Sequence, residues 1–253
     1  MKTGSLLALS LALSAGSLAG CSGGDDVYIR EDRTAARETG PTCVVGSGEA
    51  ACIDLASQTF PPTPRTVEGI VALVDMHRIA LRAVGTLSRA CGAIVDELGV
   101  ARPTAAPGDD LRASAERVCD VAQATIRARR AGITIEPSLA TCGAQPDRAA
   151  ETGLVCASPD PKCLSASVLV WLGADRSPQS LALVATLERH LPAVLSVKTE
   201  LERLAELTKR LPTDATTELD GACVVGVVQM TTTALDHITT AARVSGSVLA
   251  TLQ

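Results

Sequence analysis

Three histidines and nine cysteines carry the most obvious chemistry in this 253-residue chain. A histidine exchanges protons near neutral pH, and in hydrolases it activates a serine or cysteine nucleophile. His77, His190 and His237 are far apart in sequence, and each falls on a predicted helix beside apolar neighbours. The chain has no His-Glu-x-x-His, phosphate-loop or EF-hand motif. Because no nucleophile is paired with a base, the sequence predicts core or edge histidines, no catalytic residue and a protein that is not an enzyme.

The first twenty residues have the pattern of an export signal. Met1 and Lys2 give a charged start, an apolar stretch runs from Leu6 to Leu18, and small residues follow up to Cys21. This order is typical of a cleaved signal peptide, which we predict over residues 1–20. The apolar run is shorter than the roughly 20 residues that a membrane-spanning helix needs.

The residues Leu18-Ala19-Gly20-Cys21 resemble the lipobox of bacterial lipoproteins. The resemblance implies cleavage before Cys21 and acyl chains on that cysteine, which would hold the protein to a membrane. The body is then expected in the bacterial cell envelope, in the periplasm or at the cell surface. Ser22 favours the outer membrane if the source is Gram-negative.

Lipidation of Cys21 leaves eight cysteines, an even number in an exported chain, which favours disulfide bonds. No Cys-x-x-Cys pair occurs and the histidines are scattered, so no metal site is predicted. Cys91 and Cys119 lie at similar distances from a predicted turn around Ala105. In an antiparallel helical hairpin these two side chains meet, so we expect this bridge first.

The other six cysteines are paired by spacing. Two pairs are close in sequence and interrupted by Gly or Pro, which would let each clasp its own loop, and the third pair is what remains. The expected bridges are Cys43 with Cys52, Cys156 with Cys163, and Cys142 with Cys223. Eight cysteines allow 105 pairings, so other connectivities stay open.

Composition narrows the range of partners. The formal charge is −5, and it becomes −6 when Lys2 leaves with the signal peptide. Tyr28, Phe60 and Trp171 are the only aromatic residues. An acidic chain with so few stacking side chains is not expected to bind nucleic acid. The expected partners are the membrane, through the acyl chains on Cys21, and another envelope protein.

Residues 21–62 are polar and rich in turns, which predicts a flexible tether with one small loop clasped by cysteines. Within it, residues 46–51 match Gly-x-Gly-x-x-Ala, the pattern of a dinucleotide-binding loop. That pattern has meaning only between a strand and a helix of a βαβ unit, which is not predicted here. We interpret the match as a coincidence, and no cofactor is predicted.

Residues 63–253 predict four helices. The first has Thr63 as N-cap and Pro64 at its first position, and it extends to residue 98, about 50 Å. The second follows Asp109 as N-cap and ends in arginines that suit the negative end of a helix. The third begins at Ser177 and contains Pro192. The fourth carries no charge from Gly221 to Leu235, so it is expected to be the most buried.

Residues 132–177 form a cysteine-rich, irregular insertion between the second and third helices. Ile133 to Ile135 favours a short strand, and Ser165 to Leu172 suits either a strand or a buried helical turn. Long insertions often carry function, because they escape the demands of the core.

The sequence as a whole predicts an all-α protein, an elongated four-helix bundle stapled by disulfides. The leading function is a non-enzymatic, membrane-anchored envelope lipoprotein with a scaffolding or interaction role. The first alternative is a carrier for an apolar ligand, with a cavity between the third and fourth helices near Pro192. A third is an unrecognised hydrolase built around one of the histidines.

Overall fold

A computed structural model describes the chain from residue 43 onward, with gaps. The described residues are 43–56, 58–142, 153–157, 163–174, 176–209, 211 and 218–252. The chain divides into two units, residues 1–35 and 36–253, and every described residue belongs to the second. The predicted signal peptide and Cys21 lie outside the described residues.

Four long helices make up most of the described chain. They are α1 (Pro64–Glu97), α2 (Leu111–Arg129), α3 (Pro178–Thr208) and α4 (Gly221–Thr251). The caps of α1 and α3 are the predicted ones. The Thr63 side chain accepts a hydrogen bond from the Thr66 N–H, and the Ser177 side chain accepts one from the Ser180 N–H. The cap of α2 is Asp110 rather than Asp109, with the Asp110 carboxylate accepting the Ala113 N–H at 2.8 Å.

The protein is mostly helical rather than all-α, because seven short strands accompany the helices. They are β1 (Val44–Val45), β2 (Cys52–Asp54), β3 (Ile133–Ser138), β4 (Thr141–Cys142), β5 (Leu154–Val155), β6 (Cys163–Leu164) and β7 (Ser167–Leu172). All pairings are antiparallel, and they join β1–β2–β5, β3–β7 and β4–β6. Consecutive β-branched residues, such as those at 133 to 135, favour strands over helices in the insertion.

Residues 43–56 pack on the body, which corrects the prediction of a flexible tether as far as residue 62. Cys43, Ile53 and Leu55 are buried in the same apolar cluster as the first half of α1. The Gly-x-Gly stretch lies in the turn between antiparallel β1 and β2, so it is not part of a βαβ unit. Val44 lies so close to α4 that a Cβ atom on Gly226 would come within 2.6 Å of its side chain.

Among the cysteines whose side chains the structure describes, three disulfides join distant parts of the chain. They are Cys43–Cys223, Cys52–Cys156 and Cys91–Cys119, with Cα–Cα distances of 4.8, 4.4 and 4.9 Å. The Cys91–Cys119 bridge is the one expected first. The expected local clasps, Cys43–Cys52 and Cys156–Cys163, are not formed, and neither is Cys142–Cys223.

Strand pairing explains why the local clasps were wrong. In β2–β5, Ile53 pairs with Val155 and Asp54 with Leu154, so the next position along the same register places Cys52 opposite Cys156. Cys43, one residue before β1, is carried to the first turn of α4, where Cys223 lies. The β-sheet therefore selects bridges between elements, which spacing along the chain cannot reveal.

The most buried helix is α1. It contacts α2, α3 and α4, and 21 of its 34 residues are buried, against 12 of 31 in α4. The expectation that the last helix would be the most buried is therefore wrong.

The helix α3 runs antiparallel to α1. Glu97 at the end of α1 bonds to Arg189 near the start of α3, and Arg82 pairs with Glu200 further along at 3.2 Å. By length and composition α3 is also the one helix in the described part of the chain that could cross a membrane. Of its apolar window, 44% is buried inside the body, as in a core helix.

The helices α1, α2 and α4 run in the same direction. Contacts between α2 and α4 keep a constant offset of 124 residues: Arg112 with Asp236, Glu116 with Thr240, Gln123 with Ser247, and Arg127 with Thr251. In parallel helices the residue numbers of contacting pairs differ by a constant, whereas in antiparallel helices they add up to a constant. The contacts between α2 and α4 therefore identify parallel helices.

The helix α2 is therefore parallel to α1, and the antiparallel hairpin used to predict the Cys91–Cys119 bridge is wrong. Ser88 and Ser114 border the same cleft, Cys91 is bonded to Cys119, and the Arg129 side chain reaches the Leu98 carbonyl. Residues 98–110 double back along α1. About twelve residues of extended chain span far more than the roughly 20 Å that this return needs.

Parallel helices bring like ends together, and charged side chains lie at both ends. At the N-terminal end, Glu218 accepts hydrogen bonds from the Thr63 N–H at 3.1 Å and from the Thr66 hydroxyl. At the C-terminal end, Arg129 donates to the Leu98 carbonyl at 3.1 Å, and Arg130 donates to the Thr251 carbonyl. Negative charge thus lies at the start of α1, and positive charge at the ends of α1 and α4, as the helix dipoles favour.

Replacing these arginines tests this arrangement. We expect Arg129→Gln and Arg130→Gln each to lower the free energy of unfolding by about 1 kcal/mol, since each removes a charged donor from a helix end. Urea denaturation followed by circular dichroism measures the change. Arg89→Gln is the control, because Arg89 is exposed and its hydrogen bond among the described residues is to Thr86 of its own helix. Equal stability in all three variants would contradict the explanation.

Candidate interaction surface

The three histidines lie in two places, with His190 apart from the other two. His190 bonds through Nε2 to Glu97 at 2.8 Å, and Arg189 bonds to the same carboxylate oxygen at 2.7 Å. Hydrogen bonds from His190 and then Arg189 lower the pKa of Glu97 from 4.5 to about 2. A carboxylate beside an imidazole is half of a general-base arrangement.

The other two histidines lie close together inside the body. His237 is buried and bonds through Nδ1 to the Thr233 carbonyl of its own helix at 2.7 Å. Burial and then the nearby His237 ring lower the pKa of His77, while backbone hydrogen bonds at Met230 and Gly48 oppose the shift. His77 thus lies where α1 faces α4 and the β1–β2 turn. Among the described residues, no serine, threonine or cysteine side chain bonds to any of the three rings.

Two clefts on the described surface are lined mainly by polar groups. One, of about 120 Å³, lies between α1, α2 and their connection, beside Ser88, Arg102 and Arg117. The other, of about 350 Å³, opens between the start of α2 and α4, beside Arg112 and Glu116. Neither is lined by α3 together with α4, where the carrier alternative places its cavity. Within the described ranges, no group of three or more His, Cys, Asp or Glu residues is placed to hold a metal ion.

The β3–β7 pair of the insertion has exposed apolar side chains on its outer face. In the β3–β7 pair, Val168 is buried and packs into the core with α3, whereas Leu169 and Trp171 point outward, with Trp171 57% exposed. Opposite them lie Glu136 and Thr134 on β3. The mixture of polar and apolar side chains makes this a small patch rather than a continuous surface.

A long line of exposed, uncharged residues lies on α4, which no functional prediction singles out. Seven exposed residues, which we call the α4 seam, follow one another at alternating spacings of three and four. They are Val225, Val228, Thr232, Leu235, Thr239, Ala242 and Gly246. At 1.5 Å per residue the α4 seam is about 32 Å long.

The two threonines of the α4 seam present little polarity. The Thr232 hydroxyl donates to the Val228 carbonyl at 3.0 Å, and the Thr239 hydroxyl donates to the Leu235 carbonyl at 2.9 Å. Each hydroxyl is thereby turned back against the helix and satisfied within it. The α4 seam therefore offers aliphatic groups and helix backbone, without a charge or a free donor.

The helix α4 carries a second set of residues with the same spacing on its opposite side. This set is buried against the body and consists of Cys223, Val227, Met230, Ala234, His237, Ala241, Val244 and Val248. Two seams at opposite faces suit a helix with a neighbour on each side. The described structure supplies the inner neighbour, which is α1 together with parts of α2 and α3.

Charged residues of α4 flank the α4 seam and point toward α2. Asp236 pairs with Arg112 at 3.0 Å, and Arg243 pairs with Glu116. The exposed residues of α3, in contrast, include charges from Glu188 onward, among them Lys198 and Glu202.

Sequence reasoning missed this surface although its signal was present. The charge-free run from Gly221 to Leu235 predicts a buried helix, whereas the structure exposes part of this run. The two interleaved seams were readable from the spacing, but only the packing shows which of them the body covers.

Comparisons with protein-family models, with curated proteins and with solved structures find no match for this chain.

The position of His77 predicts a pH dependence of stability. Above its ordinary pKa of 6.5 the ring is neutral in both the folded and the unfolded chain. Below it the unfolded chain binds a proton that the folded chain resists, so stability is lost as the pH falls from 6.5 through the lowered pKa. We expect His77→Gln to flatten the decrease in unfolding free energy between pH 6.5 and 5, measured by urea titration at each pH. Parallel curves for the two proteins would contradict this.

Proposed function

We propose that this protein is a non-enzymatic, membrane-anchored lipoprotein of the cell envelope with a scaffolding or interaction role. In this proposal acyl chains on Cys21 hold it to the membrane, and its four helices form a disulfide-stapled bundle. The α4 seam then docks onto an apolar helix of another envelope protein. The observation that carries the docking step is the exposed, uncharged spacing of three and four along α4.

The spacing favours a helix as the partner. Alternating steps of three and four keep side chains on one line of an α-helix, which is the geometry by which two helices interlock their side chains. A flat lipid surface needs no such register and usually selects a wider apolar face with basic residues beside it. The charged residues beside the α4 seam are Asp236, which is acidic, and Arg243, which is already paired with Glu116. This arrangement does not suit an anionic lipid surface.

Binding of a partner helix would also be favoured by the removal of the apolar side chains of the α4 seam from water. Apolar area removed from water contributes about 25 cal/mol per Å². Val225, Val228 and Leu235 are each between 45% and 56% exposed, and they lie within three turns of one helix. An interface centred on them has apolar anchors without the penalty of burying a charge.

Cells expressing the full chain with a photoreactive amino acid at position 239 test the docking surface. We expect irradiation to yield one discrete crosslinked protein species, identified by mass spectrometry. Leu235→Lys should reduce its yield at least tenfold, because a lysine would have to be buried unpaired in an apolar interface.

Leu181→Lys is the matched control. Leu181 is 49% exposed on α3 and Leu235 is 45% exposed on α4, so both substitutions should leave the thermal midpoint unchanged. Crosslinks to lipid alone, or equal yields from both lysine variants, would exclude a helix-docking role for the α4 seam.

The membrane anchor has its own test. We expect Cys21→Ser to move the protein from the membrane fraction to the soluble fraction, since a serine has no thiol to accept diacylglycerol. Immunoblots of fractionated cells measure the distribution, and Cys91→Ser controls for the general effect of losing a cysteine. A variant that stays in the membrane pellet as before would rule out anchoring through Cys21.

A further inference from the structure

Cys142 and Cys163 lie opposite each other in an antiparallel strand pair. In β4–β6, Thr141 pairs with Leu164 and Cys142 with Cys163. The β3–β7 pair, from Ile133 opposite Leu172 to Ser138 opposite Ser167, follows the same register. The two pairs thus belong to one ribbon with no slipped residue between them.

We propose that Cys142 and Cys163 form a fourth disulfide, which closes residues 143–162 into a covalent loop. Directly opposed residues of an antiparallel pair have Cα atoms about 4.5 or 5.5 Å apart, depending on the hydrogen-bond pattern. Both values fall within the range of about 4.4 to 6.8 Å that a disulfide spans. The backbone register alone therefore places the two residues at bonding distance.

The same chain contains a bridge built in this way. Cys52 and Cys156 occupy opposed positions at the end of the β2–β5 register, and they are bonded. A slip of one residue would place two cysteines on opposite faces of a ribbon, so opposed cysteines reflect a specified register. The β4–β6 pair repeats this arrangement, with Cys142 opposite Cys163.

The cysteine count leads to the same pair. Of nine cysteines, six form the three bridges already described, and Cys21 is assigned to lipid under the proposed function. Cys142 and Cys163 are the two that remain. The inference rests on the register, so it holds whether or not Cys21 is lipidated.

Formation of the bond is a two-electron oxidation. The thiols of Cys142 and Cys163 lose two protons and two electrons, and one S–S bond forms. The oxidant is the disulfide of a thiol–disulfide oxidoreductase in an extracytoplasmic compartment, which is reduced to two thiols by exchange. The closed loop contains Cys156, so its bond to Cys52 fixes the loop to β2 as well.

Tryptic digestion of the oxidised full-length protein without reductant distinguishes the pairings. Cleavage after Arg130, Arg148, Lys162 and Arg176 separates Cys142, Cys156 and Cys163 onto peptides 131–148, 149–162 and 163–176. We expect peptide 131–148 joined to 163–176, and peptide 149–162 joined to the peptide that carries Cys52. A link from 131–148 to the Cys223 peptide, or from 149–162 to 163–176, would overturn the proposal.

Thiol labelling of the denatured, unreduced protein gives a second measurement. We expect no maleimide label on Cys142 or Cys163 in the parent, one new labelled thiol in Cys142→Ser, and none in the Cys142→Ser, Cys163→Ser double variant. Cys91→Ser is the control, because it must expose the thiol of Cys119. Label on both Cys142 and Cys163 in the parent would overturn the proposal, even if the α4 seam docks as proposed.

Discussion

The burial of α1 is the constraint on which the rest of the structure depends. This 34-residue helix, about 51 Å long, has buried residues on every side, so other elements must cover it all round. Its apolar residues fall into two clusters, one from Val67 to Ala80 and the other from Ala83 to Leu98. Where the clusters meet, Arg82 pairs with Glu200, and each side chain is 20% exposed. The covering elements are held mainly by apolar contact.

Covering α1 with parallel neighbours has an electrostatic cost. Three parallel helices bring like dipole ends together, unlike an alternating up-and-down arrangement. Glu218 at the N-terminal end, and Arg129 and Arg130 at the C-terminal end, offset that repulsion with side chains of opposite sign. The arginines do more than the sequence indicated, because they satisfy carbonyls of the neighbouring helices α1 and α4 rather than only the end of their own.

Local signals in the sequence were enough to predict the helices but not their directions. Thr63 with Pro64, and Ser177 with Pro178, mark helix starts by chemistry that acts within one turn. A single bridge such as Cys91–Cys119 joins two helices at one point and is compatible with either direction. The direction of α2 depends on contacts with α4, 124 residues away, and only the folded chain shows that pairing.

The strands and bridges of the insertion were harder to predict for a related reason. Short β-branched runs fit a strand or a buried turn, and their partners are decided by register over long separations. Cys52 and Cys156 are 104 residues apart and meet because β2 pairs with β5. Spacing along the chain therefore favoured local loops that the fold does not make.

The position of α4 explains why the candidate site was missed as well. The inner face of α4 packs against α1. The opposite face of α4 is exposed, and on an exposed face charged residues are common, as they are on α3 from Glu188 onward. Replacing Leu235 or Val228 by a charged residue would bring no clash within the body, because both are exposed. Packing within the described chain therefore does not require an uncharged α4 seam. The helix of the proposed partner would supply a physical reason for it, since spacings of three and four suit the packing of one helix on another.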